Sequence, residues 1–343
     1  MKGKKIILSI IVILILGLLA GCGTNKSDTD DGSTVRIAYF PNVTHAQALI
    51  GMQNGQFQKA LGDTKIQWKQ FNAGSSEVEA FLAGAVDIGY IGPGPVINGY
   101  TKSKGDIQII SGAADAGAVL IARKDSTIKS IKDLSGKRVA IPQYANTQDL
   151  CLRFLLQENG LKDMAKGGTV EIVQANNPDI QSLLGRGDID AALVPEPWGA
   201  TLENTIGAKV VLDYNEIWRQ GKYPVTVIAV RREFLQEHPD IVEKFLRAHL
   251  ELSDYIEKNR DQAANEANEQ FKNLTRKSLP KDVLHTSFNR LNITLDPEIE
   301  ATKDMINMSI KTGFIRRPYD DKDLFKLDIL NKILKEKGKD TVN

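Results

Sequence analysis

The pattern of apolar and polar residues predicts short buried strands that alternate with amphipathic helices. The pattern repeats in residues 84–95 and 187–198, where a helical run stops at a glycine, an aspartate and an apolar β-rich run follow, and Pro-x-Pro ends the unit. Glycine suits the left-handed end of a helix, and proline cannot continue a sheet ladder. We interpret the repeat as two similar α/β lobes, although two unrelated strand-to-loop transitions would use the same residue types. Each lobe then presents a loop at the C-terminal end of a strand, where open α/β sheets bind ligands.

After the N-terminal apolar run, the residue pattern predicts parallel βαβ units. Alternating β-rich runs at residues 35–40 and 65–71 predict strands, and a further strand is predicted at 107–110. Ser76 and Glu79 have the spacing of a capping box, which predicts that Ser76 starts a helix. Strands and helices that alternate at this spacing indicate a parallel sheet.

Two apolar β-rich runs, residues 119–122 and 225–230, are predicted to cross between the lobes. A second α/β series lies between them, and from residue 239 onward the apolar residues have a helical period. Besides the strand of the second repeat, the series contains predicted strands at 138–141, 169–175 and 209–212, a helix at 147–159 and a helix from Asn177. The fold class is therefore α/β, with each lobe a mainly parallel sheet flanked by helices.

Length, charge and cysteine content exclude several kinds of partner. At 343 residues the chain is long enough for two lobes with a substantial core. Its 44 basic and 43 acidic residues give a formal net charge of +1, which does not support nucleic acid as a partner. Cys22 and Cys151 are not placed to form a disulfide, and Cys151 fits a buried thiol in an apolar helix. The histidines lack metal-ligand spacing, and we expect neither a metal nor a cofactor.

The N-terminus has the pattern of a signal peptide. Three lysines in the first five residues precede an apolar run at residues 6–19, and Leu-Ala-Gly-Cys ends at Cys22. As a helix the run would span about 21 Å, less than the roughly 30 Å of a hydrocarbon core. We predict a signal peptide at residues 1–21, with an uncleaved membrane anchor as the alternative.

Residues 19–22 look like a bacterial lipobox. Together with Phe-Asn-Ala-Gly-Ser-Ser at 71–76, Asp-Ile-Gly at 87–89 and the segments 136–142 and 187–190, they resemble the nitrate/sulfonate/taurine group of solute-binding proteins of ABC importers. The resemblance covers nearly all of the chain after the lipobox. It implies the two-lobed, type II-like periplasmic-binding-protein fold, with two crossover segments and lobes that close on a ligand by hinge bending.

The resemblance also implies a domain organisation and a cellular setting. Lobe 1 would comprise residues 35–118 and 229–343, and lobe 2 residues 119–228. Cys22 would be lipidated, and residues 22–34 would form a flexible tether with too little apolar surface to fold. The protein is then expected outside the cytoplasm, as a monomer that touches the membrane only through its lipid anchor. It would deliver its ligand to an ABC permease and its ATPase.

Candidate ligand-binding residues lie in five loops that follow predicted strands: 41–45, 74–76, 92–95, 143–147 and 195–198. Backbone N–H groups, short hydroxyl or amide side chains and helix N-termini stabilise an anion without a bulky counter-ion. The ligand-binding candidates are His45, Ser75, Ser76, Gly92, Pro93, Gly94, Tyr144, Asn146, Thr147, Glu196 and Trp198.

Several candidates also have an ordinary structural interpretation. Ser76, and either Asn146 or Thr147, could serve only as helix caps, and His45 only as a helix-start residue. The two aromatic candidates could pack on the organic tail of a ligand, or the tryptophan could pack in the core. Glu196 would repel a bound sulfonate at a cost of several kcal/mol. Either the ligand carries a cation at one end, or Glu196 points away from the cleft.

These patterns together predict a binding protein for a small organic anion, such as an aliphatic sulfonate or a taurine-like compound. Nitrate, bicarbonate, or a pyrimidine or vitamin precursor on the same fold are the alternatives. The sequence contains no nucleophile elbow, phosphate-gripping Gly-Lys-Ser/Thr loop or paired metal motif. Catalysis is therefore not expected. An enzyme on this fold is the alternative to a binding protein.

Overall fold

The computed structural model describes residues 32–315 and 321–342. The predicted signal peptide, Cys22 and most of the predicted tether lie outside these residues. From Thr34 onward the chain forms one compact unit, which is built from two β-sheets and the helices around them. Among the helices of the described residues, none has the length and apolar character needed to cross a bilayer.

Strands and helices alternate in the first two thirds of the chain, and helices dominate the remainder. The strands are β1 Thr34–Tyr39, β2 Lys65–Gln70, β3 Ile88–Ile91, β4 Ile107–Ala116, β5 Ala118–Ala122, β6 Arg138–Ile141, β7 Glu171–Gln174, β8 Ala191–Pro195, β9 Lys209–Leu212, β10 Pro224–Arg231 and β11 Leu291–Ile293. The α-helices are α1 Ala46–Gln53, α2 Gln56–Leu61, α3 Gly74–Leu82, α4 Pro93–Ser103, α5 Thr147–Glu158, α6 Asn177–Arg186, α7 Trp198–Ile206, α8 Tyr214–Ile217, α9 Arg232–Glu237, α10 Pro239–Lys258, α11 Arg260–Thr275, α12 Lys281–Asn289, α13 Ile299–Lys311 and α14 Asp328–Glu336. Short 3-10 helices lie at Val43–His45, Ile131–Leu134, Met164–Lys166 and Arg219–Gly221.

Each sheet contains a reversed strand that comes from a crossing of the chain, and in the first sheet the edge strand β11 is also reversed, because it pairs antiparallel with β4. The first sheet has the order β11-β4-β10-β3-β1-β2, in which β1 is parallel to β2 and β3, and β10 lies antiparallel between β3 and β4. The second sheet has the order β7-β6-β8-β5-β9, in which β5 lies antiparallel between β8 and β9. The reversed strands β5 and β10 contain the two apolar runs that the sequence predicts as crossings. The predicted α/β fold with two crossover segments is confirmed.

Two details differ from the sequence prediction. The pairings within each sheet are mixed rather than mainly parallel, because a reversed strand is inserted between strands that share one direction. In addition, β10 pairs with the first sheet from Pro224 to Arg231. The predicted lobe boundary between residues 228 and 229 therefore falls inside a strand. The crossing is complete before β10 begins, since a hydrogen-bonded strand stays with one sheet.

The crossing from the first sheet to the second is only one residue long. β4 ends at Ala116 and β5 begins at Ala118, with Gly117 between them. Gly117 has a φ of +65°, and a Cβ at this position would lie 2.3 Å from Leu291 Cδ2. Glycine has no Cβ and adopts positive φ readily. A side chain at residue 117 would meet both backbone strain and a steric clash.

The C-terminal helices support the first sheet. Phe245 of α10 stacks on Phe57 of α2 with ring centroids 5.0 Å apart, and both side chains are fully buried. Full burial of such a side chain contributes about 1.5–3 kcal/mol. These helices contribute none of the predicted ligand-binding residues, which lie in the loops at the strand ends.

The capping box predicted at Ser76 and Glu79 is not formed. α3 begins at Gly74 with Ala73 as its N-cap, and the Ser76 hydroxyl donates to the Ala73 carbonyl oxygen at 2.9 Å. Gly74 packs directly against Pro95, because a Cβ on Gly74 would lie 2.2 Å from Pro95 Cγ. This tertiary contact between α3 and α4 fixes the helix start and overrides the local signal.

Candidate functional site

A small cavity lies between loops of the two sheets, at the carboxyl ends of their parallel strands. Loops after β1, β2 and β3 form one wall, and loops after β6, β7 and β8 form the other. Its volume is about 30 Å³. Open α/β sheets bind ligands at this edge. The lining residues are Phe40, Asn42, Thr44, His45, Asn72, Ala73, Gly74, Gly92, Pro95, Pro142, Asn146, Thr147, Gln148, Asn177, Pro195 and Val225.

Four helices of the described chain begin at this cavity. α3 begins at Gly74, α4 follows its N-cap Gly92, α5 begins at Thr147, and α6 begins at Asn177. The first N–H groups of an α-helix have no partner within the helix, and the helix dipole adds partial positive charge there. The N-caps Ala73 and Gly92 provide no side-chain hydrogen bond to these groups. The first turn of α4 contributes its dipole and no free donor, because two of its residues are prolines and the Gly94 N–H is bonded to Thr147. The cavity therefore favours negative charge and hydrogen-bond acceptors.

The lining has no charged side chain at neutral pH. His45 is the one titratable residue among the lining residues, and burial lowers its pKa to about 3. Its Nδ1 accepts a hydrogen bond from the Phe40 N–H at 3.2 Å, so the proton of the neutral ring lies on Nε2. The ring packs against the Phe40 ring with centroids 4.6 Å apart. His45 therefore offers a neutral N–H donor and not a cation.

The two walls touch each other beside the cavity. The Gly94 N–H donates to Thr147 Oγ1 at 3.4 Å, and the Ser75 N–H donates to Gln143 Oε1 at 2.8 Å. A Cβ on Gly94 would lie 3.0 Å from the backbone nitrogen of Thr147. The lobes are thus close together, and a ligand larger than the cavity must separate them to enter.

Four of the predicted residues line the cavity, namely His45, Gly92, Asn146 and Thr147. Asn146 is also the N-cap of α5, where its Oδ1 accepts from the Asp149 N–H at 2.8 Å. The capping and cavity-lining interpretations of Asn146 are therefore both compatible with its position. Whether these residues bind a ligand stays a prediction.

Ser75, Pro93 and Gly94 lie next to lining residues without lining the cavity themselves. Ser75 and Gly94 use their backbone N–H groups for the contacts between the walls. Pro93 is buried in the first turn of α4. These residues shape the walls.

The structure places the predicted ligand-binding residues Ser76 and Tyr144 outside the cavity lining. Ser76 is exposed, and its hydroxyl is bonded to the Ala73 carbonyl oxygen within its own helix start. Tyr144 is 44% exposed, and its hydroxyl donates to the Ile172 carbonyl oxygen at 3.0 Å, on the edge strand of the second sheet. Neither side chain reaches the cavity, because each is held by a hydrogen bond elsewhere.

Glu196 does not line the cavity, so its assignment as a ligand-binding residue stays a prediction. Its carboxylate is fully buried, with Oε1 2.8 Å from Arg290 Nη1. Oε2 accepts hydrogen bonds from the Ala200 N–H at 3.0 Å and the Ser287 hydroxyl at 3.2 Å. Burial raises the pKa of Glu196, and the Arg290 charge opposes that shift. No local pattern predicts this pair, because Arg290 lies 94 residues further along the chain.

Trp198 holds a lining residue and does not line the cavity itself. Its Nε1–H donates to Asn42 Oδ1 at 2.9 Å, and its ring packs on the apolar cluster that includes Val194 and Leu202. Asn42 belongs to the loop after β1, so this bond joins the two walls. The indole ring of Trp198 therefore packs in the core, and its N–H group orients the Asn42 side chain.

Sequence reasoning missed several amide side chains of the lining. Asn42 and Asn72 directly follow strands, as the nominated loops do, and Asn177 follows β7 but was interpreted only as a helix start. Asn177 is 7% exposed, and its Oδ1 has no hydrogen-bond partner in the described part of the chain. Buried polar atoms are normally satisfied, so an orphaned amide in the lining is a group that a ligand can satisfy.

Comparison with known proteins gives matches over most of the chain. The family model described as the NMT1-like family matches residues 28–270. The taurine-binding periplasmic protein of Escherichia coli (strain K12) is 30% identical over 218 residues, which cover 63% of this chain and 64% of that protein. This match therefore spans less than two thirds of the relative. A Bacillus subtilis (strain 168) protein, provisionally named an aliphatic sulfonates-binding protein, is 25% identical over 331 residues, 95% of this chain and 96% of that protein.

Solved structures share the fold. The alkanesulfonate-binding protein SsuA from Xanthomonas axonopodis pv. citri, bound to MOPS, superimposes with a TM-score of 0.70 at 17% identity. The superposition covers 83% of this chain and 95% of that chain. It confirms the two-lobed periplasmic-binding-protein fold. The relatives are named as binding proteins and not as enzymes, in agreement with the expectation of a non-enzymatic protein.

Proposed function

The chain belongs to the NMT1-like family, and from that membership we propose that it is the solute-binding component of an ABC importer. Its ligand is a small organic anion, an aliphatic sulfonate or a taurine-like compound, held between the two lobes. The observation that carries this proposal is the lining of the cavity, which combines four helix N-termini with amide and hydroxyl side chains and no charged group. The names of the taurine-binding and aliphatic sulfonates-binding relatives support the same ligand class.

Helix N-termini can hold an oxyanion without lysine or arginine. A sulfonate head has only acceptor atoms, and the unpaired N–H groups of a first helical turn are donors that point along the helix axis. Hydrogen bonds to a charged group contribute about 1.5–3 kcal/mol each. The hydroxyl groups of Thr44 and Thr147 and the amide of Gln148 add donors to the same cavity.

Lobe closure and ligand binding are coupled in this proposal. The lining residues come from both walls, so a ligand that bonds to both walls stabilises the closed arrangement relative to the open one. The existing bond between Gly94 and Thr147 adds little of its own, because its donor and acceptor are 3.4 Å apart. A ligand that bonds to both walls therefore adds to the energy that holds the lobes together at the cavity.

A heterocyclic ligand is the less favoured alternative. Trp198 and Glu196 are the aromatic and acidic candidates that could hold a flat heterocycle, and neither residue lines the cavity. Native mass spectrometry of the freshly purified protein distinguishes the two. A co-purified heterocycle would exclude the sulfonate class, whereas a co-purified sulfonate would support it.

Calorimetry tests the proposed ligand class directly. The purified protein is titrated with a series of alkanesulfonates, taurine, nitrate and bicarbonate, and we expect binding of at least one sulfonate. Thr147→Val keeps the side-chain volume but removes a hydroxyl from the lining, and it should weaken binding. Thr205→Val, which removes an exposed hydroxyl from the end of α7, should have no effect. Absence of binding for every sulfonate and for taurine would reject the proposed class.

The cellular role is part of the proposal. We propose that the protein works outside the cytoplasm as a monomer, is anchored by a lipid on Cys22, and delivers its ligand to a permease and its ATPase. The signal-peptide pattern and the lipobox support this role. Metabolic labelling with a radioactive fatty acid should mark the wild-type protein and not Cys22→Ala. Equal labelling of both would reject Cys22 as the lipidation site.

For the domain organisation we propose that lobe 1 consists of residues 35–117 and a C-terminal part that begins with β10. Lobe 2 lies between them. All strands of the second sheet fall between Ala118 and Leu212, which supports this division.

A further inference from the structure

We propose that the cavity selects anions that carry no cationic group, so that alkanesulfonates and hydroxyalkanesulfonates bind in preference to zwitterionic taurine. This inference rests on the proposed function and concerns the second end of the ligand. It follows from the absence of an acidic partner in the lining, from the field of the helix N-termini, and from the position of Asn177.

The lining contains no carboxylate that could pair with an ammonium group. The nearby acidic residues either pair with an arginine or have a raised pKa. Glu196 is bonded to Arg290 at 2.8 Å, and Asp149 is bonded to Arg153 at 2.7 Å. Glu77, in the first turn of α3, is fully buried without a hydrogen-bond partner among the described residues, and burial raises its pKa well above its usual range. A Glu77 carboxyl that stays protonated supplies no negative charge to the cavity.

The same helix termini that favour a sulfonate oppose an ammonium group. Four N-termini direct partial positive charge into a cavity of about 30 Å³. Taurine is short, so its ammonium would remain within the field that attracts its sulfonate. A hydroxyl or methyl group at the same position carries no charge, so the helix termini would not repel it.

Asn177 provides the strongest neutral acceptor for the second end of a ligand. Its side chain is 7% exposed, and its Oδ1 has no hydrogen-bond partner among the described residues. The amide can accept from a hydroxyl, or donate to an oxyanion after a 180° rotation, since the group carries both functions. It cannot neutralise an ammonium charge, because it has none of its own. Burial of an ammonium group is unfavourable where neither a counter-charge nor the negative end of a dipole compensates its charge.

The test compares isethionate with taurine, which share a sulfonate head and an ethylene chain. They differ in a hydroxyl group against an ammonium group. Calorimetry of the purified protein at pH 7 is expected to give a Kd for isethionate at least about tenfold below that for taurine. At a pH that deprotonates the taurine amine, the Kd of taurine divided by the Kd of isethionate should fall, because taurine then carries no cation.

Two asparagine variants place the same new charge inside and outside the cavity. Asn177→Asp adds a carboxylate to the lining and should weaken isethionate binding at least about tenfold, with a smaller effect on taurine. Asn176→Asp adds a carboxylate at the exposed N-cap of the same helix and should leave the ratio of the two Kd values unchanged. Circular dichroism verifies that each variant is folded. The wild-type comparison decides the question if Asn177→Asp does not fold.

The outcomes separate this inference from the proposed function. Taurine that binds wild-type protein as tightly as isethionate would overturn the selectivity and leave the sulfonate-binding function intact. Failure of every sulfonate, including taurine, to bind would overturn the proposed function and the inference with it.

Discussion

Arg290 connects three carboxylates at a buried position behind the cavity. Its guanidinium lies 2.8 Å from Glu196, 2.6 Å from Glu203 and 2.9 Å from Asp213. The Arg290 side chain is 9% exposed and that of Glu196 is fully buried, so loss of the guanidinium leaves a buried carboxylate without a counter-charge. We expect Arg290→Met to lower the free energy of unfolding by about 3–5 kcal/mol, as measured by urea denaturation.

Arg247 provides a matched control for that prediction. It also pairs with two carboxylates, Glu243 and Glu336, but its side chain is 32% exposed. Solvent screens such pairs, and Arg247→Met should cost less than about 1 kcal/mol. Similar losses for the two variants would show that burial does not decide the strength of the Arg290 network.

Asp115 gives the stability of the protein a specific pH dependence. The residue is 5% exposed, and burial, followed by the nearby Glu298 and Asp296 carboxylates, raises its pKa to about 8. The folded state therefore holds a proton that the unfolded chain releases above a pKa of about 3.9. The resulting stabilisation is complete below about pH 4 and is lost as the pH rises towards 8.

Asp115→Asn should remove this dependence. Asparagine keeps a neutral side chain of similar size at every pH, so the variant should have a higher Tm than wild type at pH 8 and a similar Tm at pH 4. Scanning calorimetry from pH 4 to pH 8 measures both profiles. Profiles that stay parallel would mean that Asp115 does not retain its proton in the folded state.

At the scale of elements, the one-residue crossing between β4 and β5 is the most constrained connection. Gly117 combines a φ of +65° with a virtual Cβ 2.3 Å from Leu291 Cδ2. We expect Gly117→Ala to lower the free energy of unfolding by about 1–3 kcal/mol. Gly136→Ala is the control, because Gly136 has a φ of +73° and no atom within 4 Å of its virtual Cβ. Urea denaturation that gives equal losses would assign the whole effect to backbone strain and none to crowding.

The elements were predictable where a local period specifies them. Alternation and apolar runs predict most of the strands, including the two crossing strands, within a few residues of their ends. β11 was missed because its three residues, Leu291–Ile293, become a strand only by pairing with β4 far away in the sequence. The start of α3 was misplaced because the contact of Gly74 with Pro95 overrides the capping signal at Ser76.

The loops of the candidate site were predictable, whereas the directions of their side chains were not. The carboxyl ends of parallel strands can be located from sequence, and all five nominated loops contribute residues to the lining. The side chains of Tyr144, Glu196 and Trp198 depend instead on distant partners: the carbonyl of Ile172, the guanidinium of Arg290 and the amide of Asn42. No periodicity contains that information.

At the scale of the whole molecule, the two lobes are joined by contacts of several kinds. The buried Arg290 network, which includes Glu196 of the loop 195–198, and the one-residue crossing at Gly117 both join the two lobes. Beside the cavity the loops are joined by hydrogen bonds, such as the 2.9 Å bond from Trp198 to Asn42, and apolar residues of both lobes share one buried cluster. Opening of the cleft by a hinge motion would have to separate the hydrogen bonds between the loops while these connections are kept.

A substitution at Gly94 is expected to oppose closure of the two lobes without lowering the stability of the fold. A Cβ there would lie 3.0 Å from Leu150 Cδ1 and from the backbone nitrogen of Thr147, and the backbone cannot yield unless the opposite wall moves. Alanine is otherwise favoured over glycine within a helix by about 0.5–1 kcal/mol. We therefore expect Gly94→Ala to keep or raise the Tm but to increase the radius of gyration in small-angle X-ray scattering. It should also weaken binding of the ligand identified by calorimetry at least about tenfold.

Gly185→Ala is the matched control for closure. Gly185 also lies in a helix, α6, and the nearest atom to its virtual Cβ is Ile206 Cγ2 at 3.9 Å. This variant should gain a similar amount of helix stability and leave both the radius of gyration and the affinity unchanged. If Gly94→Ala binds as tightly as Gly185→Ala, the close approach of the walls at Gly94 is not required for binding, because the ligand then bridges the two lobes without it.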